Sequence, residues 1–417
     1  MKFQATRGTK DILPDETKYW RWLEITAHDT FCQYGYRQVI TPVFEQTELF
    51  TRSIGPSTEI VMKEMYTFKD KGRRSLTLRP EGTVPVIRAY LEAGLFNNQL
   101  TKLYYFGPMF RQERPQSGRY REFYQIGVEA IGCEQPMLDS ELIMMAAHFL
   151  KKLGLKNFEV LVSSVGCPIC RPVLRERLKA FFAPLVNNLC EDCQKRYKRN
   201  VLRILDCKNE KCSRFLNGLP SILETLCQPC RDHFNLVCEY LDKVSLPFKV
   251  SSYLVRGLDY YTRTTFEIIS ASLGAQNSIC GGGRYDFLVK ELGGPDTPAV
   301  GFAIGVERLV SVLKGEGMSP PQNQQPLFYL IGLGFEAQQK VFVLANYFRE
   351  KGKRVEVCCD EKSLKSSLRQ GHKLGADYVL IIGEEELKSN QVTVRSMAES
   401  YQQAVPIEQI NEWVMSR

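Results

Sequence analysis

Apolar residues at Trp20, Leu23, Ala27 and Phe31 recur at helical spacing behind Pro14-Asp15, which predicts an amphipathic helix with Asp15 as candidate N-cap, ending at Tyr34-Gly35-Tyr36. Arg37-Gln38-Val39-Ile40-Thr41 then reads as a strand closed by Pro42, an arrangement suited to an edge or an interface. From Leu76 to Glu129 strand-like runs alternate with Gly and Pro, the pattern of an antiparallel sheet. Leu142, Met145, Ala146, Phe149 and Leu153 share one face of a helix expected over Asp139–Leu153. Strand-like text returns at Leu254–Arg256 and Thr264–Ile269, and a Gly-rich turn is expected at Cys280–Asp286. The stretch from Gly315 to Gln325, with Pro320-Pro321, reads as a linker. Beyond it strand runs at Leu327–Leu333, Arg354–Cys358 and Tyr378–Ile382 alternate with helices at Ala337–Glu350 and Leu364–Leu374, which implies a small α/β domain with a partly parallel sheet.

These elements occupy 417 residues, room for two to four domains at roughly 100–200 residues each. The 44% hydrophobic and 24% charged content excludes a disordered or collagen-like chain. No apolar stretch follows Met1 and nowhere do about 18 apolar residues run together, so the expectation is a cytoplasmic protein with neither signal peptide nor membrane span. The net charge of +8 hints at a polyanionic partner. It is concentrated: Cys167 to Tyr240 holds 13 basic and 8 acidic residues, whereas Gln325 to Arg417 holds 12 of each. That basic stretch also carries nine of the 14 cysteines, eight of them in four close pairs: Cys167/Cys170, Cys190/Cys193, Cys207/Cys212 and Cys227/Cys230. Without a secretory signal such thiols stay reduced or bind metal, and two pairs of thiolates could complete one closed tetrahedral Zn²⁺ site. Reduced, buried thiols in a helical module remain the alternative, and the spacing does not say which pairs meet.

The densest chemistry lies between two strands, Leu103–Arg111 and Glu122–Glu129. Alternation puts Gln125, Gly127 and Glu129 on one face and Tyr124, Ile126 and Val128 on the other. The intervening loop carries Arg111, Arg114, Arg119 and Arg121, planar forks suited to bidentate capture of phosphate oxygens. Gly281-Gly282-Gly283 is no P-loop, because no Lys-Ser or Lys-Thr follows it. The four histidines are isolated, and His-based catalysis is not expected.

Phe110-Arg111-Gln112-Glu113-Arg114-Pro115 resembles motif 2 of the class II aminoacyl-tRNA synthetases, and Ala299–Leu309 resembles motif 3. Leu78-Arg79-Pro80-Glu81-Gly82-Thr83, Leu254–Tyr261 and Gly282-Gly283-Arg284-Tyr285-Asp286 narrow the resemblance to the histidyl-tRNA synthetases, and the strand ending at Pro42 resembles the dimer-forming motif 1. The resemblance implies an α+β fold with an antiparallel catalytic sheet and flanking helices over 1–166 and 246–318, a Cys-rich, mostly helical insertion over 167–245 and an α/β anticodon-binding domain over 319–417. It implies a homodimer that joins L-histidine, ATP and tRNA(His), with Mg²⁺ on the outer phosphates. By resemblance Arg111 and Arg256 act on the α-phosphate as catalytic cations. Arg308 takes adenine and the γ-phosphate, with Arg119 as helper. Glu81, Gly82 and Thr83 belong at the substrate's α-amino group, Gln125 at its carboxylate, and Glu129 with Tyr261 at the imidazole nitrogens, beside Tyr260. Arg114 and Gln116 are candidates for the tRNA acceptor end. Phe287 stands where the family commonly has glycine, a departure that touches local packing.

A related reading is the synthetase-like regulatory subunit of ATP phosphoribosyltransferase. Retention of Arg111, Arg256 and Arg308, together with the extra domain from about 325, opposes it. A zinc-dependent nucleic-acid-binding module would account only for the insertion.

Overall fold

The apolar stripe near the N-terminus forms the helix Pro14–Gln33 in the computed structural model, which describes residues 3–55, 58–97, 100–113, 119–207, 209–216, 218–219, 221–272, 278–321, 325–360, 363–399 and 401–417. Leu23, Ala27 and Phe31 are buried along that stripe. Leu13, not Asp15, is the N-cap residue. Pro14 takes the first helical position, where its fixed φ and missing N–H cost nothing, and moves Asp15 into the first turn, where its charge meets the helix dipole.

The chain divides into two compact units, Met1–Pro320 and Pro321–Arg417. In the first, the strands are β1 (Arg37–Gln38), β2 (Phe44–Gln46), β3 (Thr67–Lys69), β4 (Ser75–Leu78), β5 (Thr101–Phe110), β6 (Glu122–Ile131), β7 (Glu159–Ser164), β8 (Lys249–Val250), β9 (Thr262–Ile269), β10 (Ser278–Arg284) and β11 (Ala299–Gly305). Eight of them form a sheet in the order β1-β5-β6-β11-β10-β9-β7-β8, and β2-β4-β3 form a small sheet of their own. Only the two edge pairs of the large sheet, β1 with β5 and β7 with β8, are parallel. One face of the large sheet packs Ile126, Val128, Phe266, Ile268, Val300 and Ile304 against the helices Pro14–Gln33, Pro136–Lys152, Gln228–Lys243 and Val306–Gly315. The opposite face carries the site.

Four expectations change. Only Arg37 and Gln38 of the first expected strand pair with a neighbour. The region expected to be strands throughout contains the helix Thr83–Glu92. Its β-branched Thr-Val-Pro-Val-Ile start reads as strand, but Pro85 in the first turn removes an N–H the helix does not use. Leu254–Arg256 is irregular. The Gly-rich segment is no turn: Gly281–Gly283 lie inside β10, paired on both sides with β9 and β11. Glycine is required there by close approach. A Cβ at Gly281 would lie 1.9 Å from the guanidinium of Arg256, and one at Gly282 would lie 2.4 Å from the carbonyl of Gly301.

From 167 to 243 the first unit is helical, with a small core of its own around Leu174, Leu178, Phe182, Val201, Ile204 and Ile222. In the second unit β12 (Leu327–Gly332), β13 (Arg354–Val357), β14 (Tyr378–Ile382), β15 (Gln391–Ser396) and β16 (Gln402–Pro406) form a sheet ordered β13-β12-β14-β15-β16. β12 is parallel to both neighbours, as the alternating pattern predicts, and an antiparallel hairpin, β15 with β16, extends the sheet.

Candidate active site

Strand alternation turns Gln125, Gly127 and Glu129 of β6 away from the helices and toward a cavity that Gln125 lines directly. Glu129 is 1% exposed. Thr83 Oγ1 donates to its Oε1 at 2.8 Å, and the Tyr285 hydroxyl donates to its Oε2. Burial pushes the Glu129 carboxyl up to about 8, with those two hydrogen bonds opposing the rise. Glu81, also buried, accepts the backbone N–H groups of Thr83 at 2.9 Å and Val84 at 2.8 Å, so it caps the helix Thr83–Glu92 from outside. Burial raises its carboxyl too, against the pull of those N–H groups.

Tyr105 of β5 lies between two glycines. A Cβ at Gly82 would sit 2.2 Å from its ring, and one at Gly127 2.1 Å. A Cβ at Gly301 would come within 1.9 Å of the Glu129 carboxylate. The hydroxyl of Tyr105 and Oε1 of Gln125 are buried on the cavity wall without a protein partner. Buried polar atoms are normally satisfied, so this pair marks where a polar ligand would sit.

Four arginines line the rest of the same cavity. Arg111 is held by the Pro80 carbonyl at 2.8 Å and lies 5.2 Å over the Phe123 ring. Glu113 stands between Arg119, at 3.0 Å, and Arg111, at 3.6 Å. Arg256 donates to Glu267 Oε1 at 2.8 Å across Gly281. Burial alone would lower its pKa, but the charge of Glu267 together with Tyr261, Asp206 and Cys280 outweighs burial and raises it. Arg308 donates to the Ser278 carbonyl at 3.2 Å, and burial lowers its pKa, followed by the like charge of Arg119. Glu307 accepts the Tyr124 N–H with both oxygens, at 2.9 and 3.1 Å, and burial pushes it up to about 7. The cavity therefore has an acidic, tyrosine-walled end and a cationic end fitted to a polyphosphate.

The histidyl-tRNA synthetase family model matches residues 8–309, and an anticodon binding domain model matches 328–417. The chain belongs to the histidyl-tRNA synthetase family. It is 47% identical over 412 residues to the histidine–tRNA ligase of Desulforamulus reducens, covering 99% of this chain and 98% of that one. It is 46% identical to the ligase of Syntrophotalea carbinolica, covering 100% and 99%. The crystal structure of apo S. aureus histidyl-tRNA synthetase superposes with a TM-score of 0.83 at 36% identity, covering 99% of both chains.

Of the residues the synthetase motifs single out, Glu81, Thr83, Arg111, Arg119, Gln125, Arg256, Tyr260, Tyr261 and Arg308 all line this one cavity. Glu129 reaches it through Thr83 and Tyr285, and Gly82 makes room for Tyr105. Arg114 and Gln116 lie outside the described residues. Other members of the motifs are structural. Arg79 is buried against the carbonyls of Pro108 and Thr41. Arg284 donates to Asp286 and ties β10 to Asp139, which also meets His233 at 2.8 Å. Sequence reasoning missed Tyr105, Glu113, Glu307 and the partnership of Tyr285 with Glu129. Tyr285 and Glu113 stand inside quoted motifs, but only the cross-strand geometry gives them a role.

The cysteines form two groups of four. Cys167, Cys170, Cys227 and Cys230 make one, and Cys190, Cys193, Cys207 and Cys212 the other, with all sulfurs of a group within 4.8 Å of one another. Cys167 lies 3.7 Å from Cys170 and 3.8 Å from Cys227, and Cys190 lies 3.8 Å from Cys207. Zn–S bonds of about 2.3 Å give a tetrahedral S···S edge of about 3.8 Å. The backbone N–H groups of Cys227 and Cys190 donate to sulfur of Cys170 and Cys212 at 3.2 and 3.3 Å, partly opposing the burial that pushes both thiols up. Either group could hold a metal ion.

Proposed function

We propose that this chain ligates L-histidine to tRNA(His) through a histidyl-adenylate, releasing diphosphate and then AMP. The observation that carries this reading is one cavity joining a buried acidic pocket to a cleft of four arginines. Full-length relatives named histidine–tRNA ligase support it over the regulatory-subunit alternative.

The substrate carboxylate attacks the α-phosphorus of ATP, and negative charge grows on the phosphate oxygens. Arg111 and Arg256, fixed from opposite walls by Pro80 and Glu267, meet that charge without reorganising. Arg308, aided by Arg119, takes adenine and the γ-phosphate. The α-amino group belongs at Glu81 and Thr83, the carboxylate at Gln125, and the imidazole at Glu129, Tyr260 and Tyr261. A carboxyl that titrates near 8 beside a ring with a pKa near 6.5 can exchange a proton with it. Both oxygens of this carboxyl already accept from Thr83 and Tyr285, so side chains of similar size without a ring nitrogen would leave its proton without an acceptor. Mg²⁺ would enter on the ATP phosphates, with Glu113 and Glu307 the carboxylates lining that end.

Arg114 and Gln116 are assigned to the acceptor end of tRNA, the basic insertion over 167–245 to its acceptor arm, and the unit over 319–417 to the anticodon. Each cysteine group is assigned one structural Zn²⁺. The protein would act in the cytoplasm as a homodimer; exposed Ile40, Val43 and Phe44, next to edge strand β1, offer the apolar surface for it. Among the described residues no helix is long and apolar enough to cross a membrane. The test is histidine-dependent ATP–pyrophosphate exchange followed by charging of tRNA(His). Exchange driven equally by other amino acids, or none from a folded protein, sinks the proposal.

A further inference from the structure

The loop that carries Arg256 has no regular secondary structure, and it is held from the insertion. The Gly257 carbonyl accepts Nη2 of Arg203 at 2.5 Å. Asp259 Oδ1 accepts Nδ2 of Asn200 at 3.3 Å and faces Nε of Arg203 at 3.9 Å. The Asp259 carbonyl accepts Nη1 of Arg171 at 3.1 Å, and Val255 packs against the insertion's own core. Asn200 and Arg203 follow the helix Glu191–Arg199 within the interval between Cys193 and Cys207, two ligands of the second cysteine group. Cys193 and Cys212 are fully buried in the same small core as Val201 and Ile204. A metal tying Cys190 and Cys193 to Cys207 and Cys212 would close this stretch on both sides.

We propose that the Cys190/Cys193/Cys207/Cys212 centre is a metal-held brace that, through the positioning residues Asn200 and Arg203, sets the loop from which Arg256 reaches the reacting phosphate. The reasoning is geometric. The Arg256 side chain is aimed by Glu267 of β9, but its backbone is anchored by groups whose own backbone depends on the cysteine group. Cores this small are commonly completed by a metal. A displacement of about 1 Å in a charge-stabilising group is enough to cost a large part of the rate. The coupling to metal rests on the zinc reading of the cysteines; the Arg203 contact does not.

The experiment uses the full-length protein and four variants, Arg203→Ala, Arg203→Lys, Cys207→Ser and Arg203→Ala combined with Arg256→Ala. Zinc per chain, thermal unfolding, and kcat and histidine KM in pyrophosphate exchange are measured for each. Arg203→Ala should keep two zinc ions and lose about tenfold in kcat with histidine KM within about twofold, and Arg203→Lys should recover part of the loss. In an Arg256→Ala background the same change should cost less than about twofold, because both act through one group. Cys207→Ser should lose one zinc and slow exchange by about the same factor as Arg203→Ala. A rate for Arg203→Ala within about twofold of the parent, or full additivity with Arg256→Ala, overturns the brace. A Cys207→Ser protein that loses zinc but not rate overturns the metal coupling alone. A parent protein without zinc overturns the zinc reading and that coupling, while the Arg203 result still decides the brace.

Discussion

The two ends of the cavity solve opposite electrostatic problems. At the acidic end Glu81, Glu129, Thr83 and Tyr285 are buried and satisfy one another, so the protein holds carboxyl groups in a place that raises their affinity for protons. At the cationic end Arg111, Arg119, Arg256 and Arg308 are gathered around space, and Nε of Arg119 and of Arg256 is buried without a partner. The first end is fixed before substrate arrives, and the polar atoms it leaves open, the Tyr105 hydroxyl and Gln125 Oε1, are those a wrong ligand would leave unpaired. The second gathers like charges that a polyphosphate would relieve: burial lowers the pKa of Arg308 first, and the charge of Arg119 lowers it further. On the proposed reading, selectivity and catalytic power fall to the two ends of one cavity.

The sharpest way to break this contrast is pH. Glu129 keeps its proton up to about pH 8 in the folded protein, whereas an unfolded glutamate loses it near 4.5. Below the unfolded value both states are protonated and the burial of this group costs nothing extra. As pH rises towards 8 the folded state is progressively penalised, by on the order of 5 kcal/mol in total. Glu307, raised to about 7, adds in the same direction. Thermal unfolding of the substrate-free enzyme should therefore show stability falling from about pH 4.5 to pH 8, with Glu129→Gln flattening the profile. A profile unchanged by that substitution would mean the acidic end does not hold protons.

At the cationic end Arg256→Ala should lower kcat for adenylate formation by about 10²–10³-fold, the usual cost of one preorganised donor to a growing anion. Histidine KM should change less than kcat, since the ion pair of Arg256 is with Glu267 and it meets the acidic end only through Tyr261. Pyrophosphate exchange measures both constants, and an unchanged kcat would refute its role as a catalytic cation. Glu129→Gln is the converse. Thr83 and Tyr285 each donate to a different oxygen of Glu129, and glutamine offers one oxygen and one NH₂, so one donor loses its acceptor. The expected loss is about 10–100-fold in kcat/KM for histidine, carried by KM. A loss carried by kcat at unchanged KM would place Glu129 with the arginines instead.

What could be read from the sequence follows the same division. The arginines and the Gln125/Glu129 face were legible, because strand alternation and a loop dense in Arg are local patterns. The first helix and the parallel core of the second unit were legible for the same reason. Tyr105 was not: its place depends on Gly82 and Gly127 leaving room on either side, a fact of three elements together. Gly281–Gly283 reads as a turn because glycine usually marks one, whereas here the arginine crossing the strand demands it. The pairing of the first cysteine pair with the fourth, and of the second with the third, likewise depends on tertiary closure.

The smallest effect should come from Arg119. Its side chain is 39% exposed and already shares Glu113, at 3.0 Å, with Arg111. Removing it loses one contact to a phosphate but returns Glu113 to Arg111 alone, so the two changes partly cancel. Exposed charge is also screened by salt, and the half-buried Arg256, 24% exposed, is screened less. Arg119→Ala should therefore raise the KM for ATP by about three- to tenfold, leave kcat within about threefold, and lose most of that difference as ionic strength rises to about 0.5 M. Steady-state exchange at two salt concentrations reads this directly. A salt-independent loss as large as that of Arg256→Ala would mean that the cationic end acts as one unit, not as a buried catalytic pair with an exposed helper.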